Sequence, residues 1–143
     1  MIQQADQSPG FLLWHITLRW QRDVTAALKP LGLTHVQFVL LATAWWLNTR
    51  NEQPSQVSLA AEAGTDVKMA SQVIRTLERN GLITRETRAA DARARRLVVT
   101  DAGATLAPRA IEAVKTVDHA LLAPLSIRAR RDFTAALFRL RQS

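Results

Sequence analysis

The side chains with most to offer chemically are basic and polar, and they fall in two short stretches. In the first, Lys68, Ser71, Gln72, Arg75 and Arg79 recur at i, i+3, i+4, i+7 and i+11, which gathers them on one face of a helix. A glutamine amide can pair with adenine N6 and N7, and a serine hydroxyl can donate or accept at either base of a pair. Lysine and arginine reach guanine or phosphate. In the second stretch, Asp91 precedes Arg93, Arg95 and Arg96. A guanidinium is drawn into a narrow A·T-rich minor groove by its enhanced negative potential, and Asp91 stands close enough in sequence to orient Arg93. From Val67 to Thr100 eight basic residues stand against three acidic ones. A basic stripe of this kind is an electrostatic footprint for a polyanion. The plainer alternative is a solvated helix face with a surface Asp–Arg contact.

Other chemistries find no support. The chain has no cysteine, so it offers no disulfide, no thiolate zinc site and no thiol redox sensor. His15, His35 and His119 lack metal-ligand spacing, and no metal or other cofactor is expected. No nucleophile–base pair, glycine-rich phosphate loop or pair of carboxylates stands out, so enzymatic activity is not expected.

The elements that must position these residues are mostly helical. A first helix is expected over Phe11–Leu28, with Leu12, Ile16, Trp20, Val24 and Leu28 along one side and Pro30 ending it. Thr34 and Gln37 make a capping box for a second, very apolar helix, flanked by the staple pair Leu33 and Phe38. Ser55 caps a third helix, Gln56–Ala63, which Gly64 ends. Asp66 then caps a fourth, about Val67–Asn80, whose inner stripe is Ala70, Val73, Ile74 and Leu77. Two helices joined by a three-residue turn holding a glycine are the signature of a helix-turn-helix. Strands are predicted at Leu82–Arg88 and Arg95–Val99, joined by a loop over Ala89–Ala94. Thr100 caps a fifth helix, Asp101–Leu122, which Pro108 should bend. Ser126 caps a last one, Ile127–Leu140.

With 143 residues, 48% of them hydrophobic, and a net charge of +7, one folded domain is the default. No apolar run is long enough to span a bilayer, and no basic region precedes an apolar stretch at the N-terminus. No membrane partner is expected, and the cytoplasm is the natural compartment. The fold class is therefore mainly α with a small β-wing, a winged helix-turn-helix. Such a layout sets one helix in a major groove and a hairpin in the adjacent minor groove.

Three segments resemble MarR-type regulators over nearly the whole chain. Asp91-x-Arg93-x-x-x-Leu97-x-Val99-Thr100-x-x-Gly103-x-x-Leu106 is similar to their wing, Ser71 to Ile83 to their recognition helix and its exit, and Pro30 to Phe38 to their first helix junction. The resemblance implies a single domain over 1–143. Within it, dimerisation helices (10–30 and 101–143) intertwine in a homodimer, and a winged-helix DNA-binding lobe covers 34–100. It also implies palindromic double-stranded DNA as partner and a small aromatic ligand between lobe and dimer region. Trp14, His15, Arg19, Trp20 and Trp45 are the ligand candidates: Arg19 or His15 for a carboxylate, the tryptophans for a ring. Trp45 and Trp46 are adjacent and cannot share a helix face. The expected function is a transcriptional regulator that represses until a small ligand releases it. A regulator without a ligand, or a winged helix used for protein interaction, are the alternatives.

Overall fold

The computed structural model describes residues 7–88 and 91–143, and its side chains within 7–87 and 95–143. Helix α1 spans Pro9–Leu28. It starts two residues before the expected Phe11 because Ser8 accepts the Phe11 amide and Pro9 takes the first helical position, where no N–H is needed. A 3-10 turn, Lys29–Leu31, leads to Gly32 at φ 72°, a left-handed backbone that favours glycine. Helix α2, His35–Thr49, opens with both capping-box bonds between Thr34 and Gln37. Helix α3 is Gln56–Ala63, and helix α4 is Val67–Arg79. The Asp66 carboxylate accepts from the amides of Lys68 and Met69 at the start of α4.

Strands β1 (Ile83–Arg88) and β2 (Asp91–Val99) pair antiparallel, from Ile83 opposite Val99 to Thr87 opposite Arg95. Strand β2 thus begins four residues before the expected Arg95. The alternation over Asp91–Ala94 is carried only by alanines, which are depleted in strands, and main-chain pairing with a neighbour needs no side-chain pattern. Helices α5 (Asp101–Leu122) and α6 (Ile127–Gln142) complete the chain. Pro108 lies within α5, whose helical assignment continues through it.

One core joins these elements. Leu28 of α1, Leu40, Leu41 and Ala44 of α2, Leu59 of α3, Ile74 and Leu77 of α4, Ile83 and Leu97 of the hairpin, and Ala107 and Ala110 of α5 are all buried. Truncating one such leucine costs about 2–5 kcal/mol. The small residues of α5 let its backbone come close to α2. Buried residues stop at Val114, and α6 has none. Phe11, Leu12, Leu13, Trp14, Ile16 and Leu18 of α1 remain exposed, as do Phe133, Leu137, Phe138 and Leu140 of α6. A soluble chain does not usually leave so much apolar surface open.

Two polar joints hold the hairpin in place. Asn48, near the end of α2, donates to the Leu97 carbonyl and accepts from the Val99 amide at 2.8 Å, while the Leu97 amide donates to the Pro54 carbonyl. At the far end, the Thr100 hydroxyl donates to the Gly81 carbonyl at 2.6 Å and accepts from the Gly103 amide. A Cβ on Gly103 would overlap the Leu82 carbonyl oxygen and sit 2.6 Å from Val99 Cγ1. Gly103→Ala is therefore expected to destabilise the fold by about 3 kcal/mol, measured as a lower urea midpoint; an unchanged midpoint would show that the joint relaxes freely.

His35, at the first turn of α2, meets the Trp20 indole edge-on with ring centroids 5.1 Å apart. Burial lowers its pKa below 6.5, because desolvation disfavours the charged ring. The unfolded chain then binds this proton more readily than the folded one. The stabilisation is complete above pH 6.5 and is lost as pH falls through the folded value. Urea midpoints should decline below neutrality, and His35→Gln should remove that part of the slope while leaving the carboxylate-driven loss at lower pH.

Candidate nucleic-acid interface

Helix α4 turns its inner stripe, Ala70, Ile74 and Leu77, into the core. Lys68, Gln72, Arg75 and Arg79 are exposed on its other side, and Ser71 is half-buried beside them. Gln72, Arg75 and Arg79 share a shallow surface groove with Thr76 and Glu78. The Arg79 guanidinium donates to the Thr76 hydroxyl at 3.1 Å, and that hydroxyl donates back to the Gln72 carbonyl. These bonds restrain Arg79 without neutralising it. The face can offer amide, guanidinium and ammonium groups to a polyanion at little cost in reorganisation.

The arginines of the hairpin are not equivalent. Arg85 stands opposite Leu97 in the ladder, so it shares the face turned towards the helices. Its Nε donates to Glu78 Oε1 at 2.8 Å, and its Nη2 donates to Gln56 Oε1 at 2.9 Å. One side chain thus ties β1 to the last turn of α4 and the first turn of α3. It fixes the angle between recognition helix and wing. Sequence reasoning counted Arg85 only as charge in the basic stripe; the signal available was its strand register with Leu97.

Arg95 is exposed, as expected of a cation facing a polyanion. Arg96 is half-buried and lines a pocket with Leu47, Glu52, Pro54, Ser58 and Glu62, and its Nε is buried with no partner among the described residues. The segment that carries Pro54 runs beside β2. Asp91 and Arg93 lie outside the residues whose side chains are described. Asn48, Gln56 and Thr76 also hold the site together; local patterning does not reveal Asn48 and Gln56 because their partners Leu97, Val99 and Arg85 are distant in sequence.

The ligand candidates do not converge within one chain. Trp20 is half-buried, and its Nε1 donates to Asp118 Oδ1 at 2.7 Å. It lines an apolar groove of about 360 Å³ with Ile16, Leu121, Phe133 and Leu137. His15 lines a different groove, with Arg22 and Lys29, and its ring meets that of Phe11 at a tilt of 58°, centroids 4.4 Å apart. Trp14 is exposed. Arg19 is exposed too and lies 4.0 Å from Asp23. Trp45 packs against the core, whereas its neighbour Trp46 is exposed beneath the Arg50 guanidinium. A turn of 100° per residue along α1 separates His15 from Trp20, which is why proximity in sequence misleads here. Among the described residues, no cluster of three His, Asp or Glu side chains suits a metal ion, and no single helix is long and apolar enough to cross a membrane.

Known proteins share this arrangement. The MarR family model matches residues 33–94, the α2-to-wing segment. The HTH-type transcriptional regulator YdcH of Bacillus subtilis is 41% identical, covering 81% of this chain and 79% of its own length. The HTH-type transcriptional repressor Rv2887 of Mycobacterium tuberculosis is 32% identical over 95% of this chain and 96% of its own. Rv2887 structures in complex with DNA and with salicylic acid both superpose with a TM-score of 0.74 at 30% identity. They cover 94% and 96% of this chain, and 98% and 99% of the Rv2887 chain. BpsR of Bordetella bronchiseptica shares the fold at a TM-score of 0.87, covering 100% of this chain and 99% of its own at 18% identity. With the helix-turn-helix, the wing and its glycine joint all in place, the chain belongs to the MarR family of transcriptional regulators.

Proposed function

We propose that this chain is a sequence-specific repressor that binds palindromic double-stranded DNA as a homodimer and is released by a small aromatic, anionic ligand. The observation that carries the reading is the exposed polar face of α4, held at a fixed angle to the hairpin by Arg85. In this reading Gln72 and Ser71 read base edges, Lys68, Arg75, Arg79 and Arg95 hold bases or phosphates, and Arg93 enters a minor groove with Asp91 orienting it. The 34–100 lobe binds DNA, and helices 10–30 and 101–143 form the dimer. The open apolar faces of α1 and α6 support a second copy of the chain, because the lobe cannot cover them. The work is binding and release, with no catalytic step. Chromosomal DNA as partner places the protein in the cytoplasm.

The complexes of Rv2887 with DNA and with salicylic acid support both halves of this reading. The groove beside Trp20 has the size of a small-ligand site, but Asp118 at its floor repels an anion. The cations beside His15, Arg22 and Lys29 suit a carboxylate better. Selection from random duplexes should return a palindrome, and salicylate should weaken binding to it. DNA should weaken salicylate binding by the same factor, since coupling is reciprocal. Recovery of no preferred sequence would refute specific recognition. A palindrome whose affinity no aromatic acid alters would favour the ligand-free regulator.

Arg85 and Arg95 should then behave differently when replaced. Arg95→Ala removes an exposed cation and should flatten the log–log salt dependence of binding by up to about one unit. Arg85→Ala should weaken binding about tenfold, or about 1.4 kcal/mol, because the wing loses its brace to α3 and α4, yet leave the salt slope unchanged. A reduced slope for Arg85→Ala would show that it touches phosphate after all.

A further inference from the structure

Helix α4 carries two exposed apolar side chains, Val67 and Met69, that neither the core nor the polar reading uses. Met69 lies in the first turn and is 47% exposed, with its amide held by the Asp66 cap. It precedes Gln72 by three residues and Thr76 by seven, so the three form one ridge beside the cationic face. In a helix-turn-helix, the N-terminal residues of the second helix reach furthest into the major groove, and helical side chains lean towards that end. Exposing a methionine among polar neighbours brings the free chain no stability. The major-groove base edges carry one apolar group, the C5-methyl of thymine.

We propose that Met69 is a specificity residue that packs against a thymine methyl group, next to the base pair that Gln72 reads. The inference rests on α4 being the element in the major groove. The unbranched, polarisable thioether suits the role because it adapts its shape to the groove. Recognition is then a composite of hydrogen bonding by Gln72 and apolar contact by Met69. Val67, also exposed in this turn, lies on the other flank of the helix, away from Gln72.

The test replaces each thymine of the selected palindrome by uracil, which removes the methyl and nothing else. At one position per half-site the wild-type protein should bind about fourfold more weakly, the value of one buried methyl-sized group. Met69→Ala should bind the thymine and uracil duplexes equally, while Val67→Ala should keep the wild-type difference. Both side chains are exposed, so both variants should fold, which circular dichroism checks. No uracil effect at any position, a difference that persists in Met69→Ala, or a difference lost in Val67→Ala would each overturn the proposal while leaving specific DNA binding intact. Failure of the wild-type chain to select any sequence would instead refute the reading on which it rests.

Discussion

The geometry of this molecule depends on the joint where the wing returns to the body. Four residues meet there. Thr100 donates its amide to the Leu82 carbonyl and its hydroxyl to the Gly81 carbonyl, and its oxygen caps α5 through the Gly103 amide. Gly103 completes the joint by having no side chain where the Leu82 carbonyl lies. The exit of α4, the end of β2 and the start of α5 are therefore one rigid unit. A displacement of α5 must carry α4 and the hairpin with it, because hydrogen bonds at 2.6–3.1 Å leave little slack. Under the proposed function, an event among the outer helices would reach the exposed face of α4 through this joint.

The charge of the wing is divided between two jobs. Arg85 is consumed internally by Glu78 and Gln56, and Arg96 is turned towards the segment that follows α2. Counting basic residues in the stretch thus overstates what faces a polyanion. What the internal arginine provides is direction, since a hairpin of two strands is only marginally stable by itself. Asn48 and the Pro54 carbonyl brace β2, and Arg85 braces β1. The outward cations Lys68, Arg75, Arg79 and Arg95 then act from a fixed frame.

What was legible in the sequence was local. Thr34 with Gln37, Ser55, Asp66, Thr100 and Ser126 all cap the helices assigned to them, because a cap is a bond between residues two or three positions apart. The inner stripe of α4 is equally plain, since a core face needs only periodicity. The length of β2 was hidden, because Asp91–Ala94 alternates polar residues only with alanine, which is depleted in strands. The work of Arg85 and Asn48 was hidden because their partners lie 7 to 51 residues away. Trp14, His15, Arg19 and Trp20 are close along α1 but follow the faces they land on, and Trp45 belongs to α2; within one chain their placement was not legible from spacing alone.

The distribution of burial separates the molecule into two regimes. From α2 to the start of α5 most apolar residues find partners within the chain, Trp46, Val57, Val67 and Met69 excepted, while α1 and α6 leave most of theirs uncovered. Trp20 stands at the boundary. Its indole donates to Asp118 of α5 and meets the His35 ring of α2 edge-on, so three helices share one contact between the finished lobe and the unfinished outer layer. In the proposed dimer, whatever covers α1 and α6 also presses on this contact. The lobe is internally braced and would move as a body. On the proposed reading the outer layer would set where that body sits, and with it the separation of two α4 helices on a palindrome. A change of that spacing alone would then release the site, with no change inside the lobe, because both half-sites must be met at once.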